Sequence, residues 1–361
     1  MELLCVLTTI LGHKTVSKRI RRAVESVPGV HPTYALIRDE DHTRPLPRWK
    51  RAISLFEAVG IARLSVGIPD KPFGALLINA WELAVAFPEQ VRRLPTVMVA
   101  DAIPSTINVA VNRRTGATLK RKLAQSLNQW AFGRVVRDID YFLVKSTECA
   151  RALQVDFGIP AERCLVTRAP VDIHEWKPAP EKASAGPRTR LLFVGNDLAR
   201  KGGDFLLNLF TKHLGDTCTL TMISTDPKLA QLPATEGIRF IPGMPREELP
   251  EVFRNHDVFV FPTTQDFTPE VVAEALAVGL PCVMGEVDGA HDLVRHGENG
   301  YVLPLNSSTE HWVEHILRLT SNPAELARQS AAARAFAEQE LSLEKFDATM
   351  AQVLGSLKPR S

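Results

Sequence analysis

From residue 259 to 303 the chain reads FVFPTTQDFTPEVVAEALAVGLPCVMGEVDGAHDLVRHGENGYVL, and no other stretch limits the fold as tightly. An apolar run, 257–262, has the size and composition of a buried strand. A polar loop follows, and then a helix signal: Thr268 as N-cap, Pro269 in the first turn and Glu270 where an acid suits the dipole. Val271, Val272, Ala275 and Leu276 supply the buried stripe, and Gly279 with Pro281 ends the helix. Glu270 and Glu274, four residues apart, share one flank of it. Asp266 lies in the loop before the helix, eight residues ahead of Glu274. A strand's carboxyl end, a loop acid and a helix N-terminus converge where an open α/β sheet takes its ligand, and the free N–H groups favour an anion.

A second element of this type precedes it. Residues 191–195, LLFVG, read as a strand ending in a glycine, and NDLARKGG leads into a helix opened by Asp204. Gly195 and the later glycines let the backbone approach a ligand, the helix end supplies amides, and Arg200 and Lys201 supply charge. A diphosphate is the natural occupant. Alone, these letters also fit a solvated loop.

The ordered string resembles the donor-binding signature of the retaining GT-B glycosyltransferases of family 4. Their pattern is Glu-x7-Glu, Ala and Gly-x-Pro, followed by Gly-Gly…Glu…Gly-x-Asn-Gly. Here it reads Asp266-x7-Glu274, Ala275, Gly279-Leu-Pro281, Asp288-Gly289…Asp292 and Gly297-Glu-Asn-Gly300. The first acid is Asp rather than Glu, one methylene shorter. The resemblance implies that Glu274 accepts from the ribose hydroxyls of a nucleotide and that Asp266 addresses the donor sugar. It places the backbone amides of Glu270, Val271 and Val272 at the distal phosphate or sugar. Lys201 matches the family's diphosphate lysine. The family's arginine after the strand glycine is replaced by Asn196, and Arg200 is the candidate to supply the missing charge.

Length and composition agree with two cores. A chain of 361 residues exceeds one typical domain, and short apolar runs alternating with helical segments imply parallel strands with crossover helices. Strands are expected at 2–10, 33–37, 75–78, 96–99 and 141–144, and again at 191–195, 219–223, 238–241, 258–262, 282–284 and 301–303. Helices are expected over 16–27, 113–137, 322–339 and 343–357. A Pro-, Ala- and Ser-rich segment reads as a linker. The expectation is an α/β GT-B fold, two Rossmann-like αβα domains with a cleft between them. The first covers 1–175, with the last helix, 343–361, crossing back to it. The linker is 176–188, and the donor-binding domain is 189–342.

The first domain carries fewer motifs. Gly12, His13 and Lys14 follow the first strand and are candidates for acceptor or phosphate contact. Asp101 ends a central strand where the family often has His-Asp. Here Ala100 takes the histidine's place, and the Asp-Ala-Ile-Pro run resembles a family variant. Asp101 is thus a candidate to orient the acceptor or donor sugar, or simply caps a loop. Asp138-Ile-Asp140 lacks the setting of an Asp-x-Asp metal motif and reads as solvated acids.

Five scattered cysteines without a Cys-x-x-Cys pair argue against a disulfide framework or a zinc site and suit a reducing, cytoplasmic location. No run reaches the ~18 apolar residues of a membrane span. Residues 1–180 hold 26 Lys+Arg against 17 Asp+Glu, so an acidic partner or the anionic inner face of a membrane suits the first half. Ordinary charged helix faces would look the same. No aromatic-and-basic reader of nucleic acid is present. The resemblance implies transfer of a sugar from a UDP- or GDP-sugar to a glycan or lipid-linked acceptor, with retention and with no metal or further cofactor. The departures at Asn196, Asp266 and Ala100 leave open an inactive sugar-nucleotide-binding scaffold, and the fold alone leaves open an epimerase.

Overall fold

The computed structural model describes residues 1–9, 13–38, 59–60, 62–63, 66–115, 118–179 and 188–360. The chain divides into two compact units, Met1–Thr167 with Phe346–Ser361, and Arg168–Lys345.

The first unit is built on six strands: β1 (Glu2–Thr8), β2 (His31–Ile37), β3 (Ala75–Ile78), β4 (Thr96–Ala100), β5 (Tyr141–Val144) and β6 (Cys164–Val166). They lie in the order β2-β1-β3-β4-β5-β6, every neighbouring pair parallel. The central strands are apolar along their length because helices cover both faces. Among the described residues these helices are α1 (His13–Glu25), α2 (Trp81–Ala86), α3 (Pro88–Arg93), α4 (Pro104–Thr115), α5 (Leu119–Gly133) and α6 (Thr147–Phe157). One face is completed from the far end of the sequence. Phe346, Met350, Val353 and Leu354 of the last helix (Leu343–Ser356) join Leu3, Cys5 and Leu7 of β1 in one buried cluster. Beyond that helix Arg360 donates to the carbonyls of Val91 at 2.7 Å and Arg92 at 2.8 Å and pairs with Asp140 at 2.6 Å.

The expected helix over 113–137 is two helices. The second starts at a new cap, where the Thr118 hydroxyl accepts from the Arg121 N–H at 3.3 Å. Strand β6 was not expected; its three residues are only half-buried and show no alternation.

The second unit repeats the plan. Its strands are β7 (Thr189–Val194), β8 (Cys218–Ile223), β9 (Ile238–Ile241), β10 (Val258–Phe261), β11 (Cys282–Gly285) and β12 (Gly300–Leu303), all parallel, in the order β12-β11-β10-β7-β8-β9. Its described helices are α7 (Leu198–Lys201), α8 (Gly203–His213), α9 (Leu249–Arg254), α10 (Glu270–Ala277), α11 (Ala290–Leu293), α12 (Thr309–Thr320) and α13 (Pro323–Phe336). Phe259 stacks between Phe253 at 5.6 Å and Phe261 at 5.7 Å, and Trp176 meets Phe253 edge-on at 5.2 Å. The strand order reverses between β7 and β10, which opens a crevice at their carboxyl ends.

Residues 168–175, expected in the first domain, belong to the second unit. Arg168 pairs with Glu340 at 2.9 Å and donates to the Asp292 carbonyl at 3.1 Å, and the Val171 N–H donates to the Leu341 carbonyl at 2.7 Å. Trp176, read as linker, is 1% exposed and part of the core. Residues 180–187 of the expected linker lie outside the described residues.

The shared cluster of β1 and the last helix sets a test. Met350→Ala removes a fully buried side chain and should cost about 2–5 kcal/mol. Urea denaturation should show the loss, and an unchanged midpoint would mean the last helix does not complete this core.

Candidate functional site

In the second unit two loops meet at the switch point. The loop after β7 carries Gly195 to Gly202, and the loop after β10 carries Pro262 to Pro269. They are laced through one backbone oxygen. The Arg200 carbonyl accepts from the Thr264 N–H at 3.0 Å and from the Thr264 hydroxyl at 3.1 Å. The Arg200 guanidinium returns a bond to the Gln265 carbonyl at 3.0 Å and pairs with Asp197 at 3.0 Å. The lacing requires Gly202. Its φ is +77°, and a Cβ there would lie 2.0 Å from the Pro262 carbonyl oxygen. Gly195 likewise lets the Lys201 stem pass, since a Cβ would meet it at 3.2 Å.

The lacing brings Lys201 to Asp266 as an ion pair, with the ammonium 5.2 Å from the Phe261 ring centre. Lys201, Asp266, Gly195 and Arg200 are therefore neighbours. Asn196 turns the other way: its side-chain oxygen accepts from the Thr225 N–H at 2.9 Å and braces the loop after β8. The Arg200 guanidinium is thus engaged with its own loop and with the loop after β10.

Helix α10 starts one residue later than expected. Pro269, not Thr268, is the N-cap, and no side chain caps the amides. The Thr268 hydroxyl is buried and has no hydrogen-bond partner among the described residues; it lies against the backbone of Gly289. An uncapped helix start and an unpaired hydroxyl therefore follow directly on Asp266, the partner of Lys201. Glu270 and Val271 are half-buried there, and Val272 is buried. At the other end of the helix, Arg334 donates to the Ala277 carbonyl at 2.6 Å.

Glu274 is not a helix-edge acid. It is 3% exposed and paired with the half-exposed Arg246, whose guanidinium lies 5.8 Å from the Trp176 ring centre. Nothing in the sequence marked Arg246. It is 28 residues away in a short turn after β9, in no periodic pattern.

In the first unit, Gly12 and the side chain of His13 lie outside the described residues; His13 opens α1 and Lys14 is exposed. Asp101 is half-buried at the end of β4. At the β1–β3 switch point a buried polar cluster, not foreseen, closes the sheet. Asn79 accepts from the Thr8 N–H at 2.8 Å and donates to its carbonyl at 2.9 Å and to Ser17 at 3.0 Å. Three residues on stands Glu82, whose carboxyl is pushed up to about 7 by loss of water, with the charge of Asp101 adding to the effect.

The stability lost to Glu82 is absent below its unfolded value of 4.5, builds as pH rises from there to about 7, and is constant above. Glu82→Gln should match the parent in denaturant near pH 4 and become the more stable of the two by pH 8. Equal stability at both pH values would show that Glu82 is hydrated.

Residues 188–322 match the family model described as "Glycosyl transferases group 1". A curated relative, the D-inositol 3-phosphate glycosyltransferase of Geodermatophilus obscurus, is 30% identical over 194 residues, which cover 47% of this chain and 43% of the relative. The chain spans about half the length of the curated relatives it matches first. Two solved structures share the fold over nearly the whole chain. Sucrose-phosphate synthase from Thermosynechococcus elongatus has a TM-score of 0.75 at 14% identity, covering 98% of each chain. The Anabaena protein HepE in complex with UDP-glucose has 0.70 at 17%, covering 99% of this chain and 100% of the other. The match to group 1 glycosyltransferases thus falls on residues 188–322, in a chain whose two parallel six-stranded sheets have the GT-B fold.

Proposed function

We propose that the protein is a retaining glycosyltransferase that moves a sugar from a nucleotide-diphosphate sugar, UDP- or GDP-linked, to the hydroxyl of a glycan or lipid-linked acceptor. The observation that carries this reading is the content of one switch point: a paired Lys201 and Asp266, the uncapped start of α10 and the unpaired Thr268 hydroxyl. A diphosphate would take the amides of Glu270 and Val271, the Val272 N–H donating to the Pro269 carbonyl at 3.1 Å, and the Lys201 ammonium, which it would share with or draw from Asp266. Asp266 would then be free to accept from the donor sugar's hydroxyls, and Glu274 would accept from the ribose. Asp101, with His13 and Lys14, is proposed for the acceptor side on the first unit.

The chemistry asks for no protein nucleophile. The bond between the anomeric carbon and the distal phosphate oxygen breaks, and the acceptor oxygen bonds to that carbon on the same face. The acceptor's proton passes to the departing phosphate oxygen. The chain's part is to position the reactants and to neutralise charge on the leaving diphosphate, which Lys201 and the helix amides do in place of a metal.

For location we propose the cytoplasm, at the inner face of the membrane. Helix α5 supports the contact: Leu119, Leu123 and Trp130 are 76%, 65% and 60% exposed along one stripe, next to Lys120, Arg121 and Lys122. No described helix is long and apolar enough to cross a membrane.

A thermal-shift screen of the purified protein with UDP-, GDP- and ADP-sugars, without and with Mg²⁺, tests the donor site. A ligand at about 100 times its dissociation constant stabilises by about 2.7 kcal/mol. A shift is expected with UDP- or GDP-sugars and should vanish in Glu274→Ala; no shift with any of them would overturn the donor site itself. Reversing the charge of Lys120, Arg121 and Lys122 together should abolish sedimentation with phosphatidylserine-containing vesicles, and unchanged binding would remove the membrane contact.

A further inference from the structure

Arg246 is an unassigned residue in the site, and its surroundings define its task. Glu274 is a carboxylate with 3% of its surface exposed, held by the guanidinium of Arg246. Among the described residues two more carboxylates act on that guanidinium, Glu270 one turn earlier on α10 and Glu175 beside Trp176. The ring of Trp176 closes a further side at 5.8 Å. Arg246 thus stands among three described acids, and the most deeply buried of the three is its hydrogen-bond partner.

We infer that Arg246 is a positioning residue for the nucleotide, the counter-ion that keeps Glu274 ionised and able to accept from the vicinal hydroxyls of the ribose. The inference rests on the nucleotide-binding role proposed for Glu274. A carboxylate this far from water takes up a proton more readily when a cationic hydrogen-bond partner is removed. Ionised, it offers about four acceptor positions; protonated, it spends one oxygen as a donor. Two hydroxyls arriving together need the first form. An arginine secures it throughout the neutral range because its own charge does not titrate there. The guanidinium is 46% exposed on its side chain, so it stands at the rim of the seat and leaves the buried carboxylate to the ligand.

The test follows nucleotide-sugar affinity against pH. UDP-glucose and GDP-mannose are the probes, since their diphosphate diester keeps the same charge between about pH 6 and pH 9 and ionisation of the base toward pH 9 affects parent and variant alike. Arg246→Gln removes the cation and keeps polarity; it should bind ~10-fold more weakly than the parent near pH 6.5, with most of the gap closed near pH 9. Arg246→Lys should follow the parent at every pH, which a lost packing contact alone would not produce. Glu274→Gln should bind weakly throughout. Arg246→Gln with parental affinity at all pH values, or weaker by one constant factor, overturns the inference while leaving the seat intact. Parental affinity in Glu274→Gln, or no binding of either probe by the parent, overturns the seat itself and the inference with it.

Discussion

One backbone oxygen holds the second unit's site together. The carbonyl of Arg200 accepts from Thr264 twice, once from its amide and once from its hydroxyl, and so ties the loop after β7 to the loop after β10. Because the strand order reverses between those strands, their loops would otherwise diverge toward opposite faces of the sheet. The contact is possible only because residue 202 has no Cβ to strike the Pro262 carbonyl. It brings together the two loops that carry Lys201 and Asp266, which pair. Covalent order supplies the residues; the lacing supplies their proximity.

The departures from the family string acquire physical reasons here. Asn196 replaces an arginine and braces the loop by accepting from Thr225, a neutral hydrogen bond where a guanidinium would bring only donors. The shorter Asp266 still reaches Lys201. Arg200 is adjacent to Lys201 in sequence, yet its engagement with Asp197 and Gln265 commits it to loop geometry.

What could be read from the letters was whatever is local. Eleven strands and the helix over residues 270–277 announce themselves by short apolar runs and by proline and glycine at the ends. The ordered string from Asp266 to Gly300 marked the loop and helix that meet Lys201 at the switch point. Long-range pairs were illegible. Arg246 meets Glu274 across 28 positions, and Asn79 meets Thr8 across 71, and neither pairing has a periodic signature. Thr268 had the right chemistry for a cap and lost the place to Pro269, because its hydroxyl lies against Gly289 from another loop. Residues 168–175 sit between two domains in sequence, and only their bonds to Asp292, Glu340 and Leu341 assign them to the second.

The last helix bears on the order in which the chain can fold as it is made. The first unit's cluster of Leu3, Cys5 and Leu7 is finished by Phe346, Met350, Val353 and Leu354, which leave the ribosome after every residue of the second unit. Domains generally fold as units during synthesis, those nearer the N-terminus first. Here the second unit is the one whose residues are contiguous, so it can close while the first still shows an uncovered apolar face. That face is the surface a nascent-chain chaperone would have longest to hold.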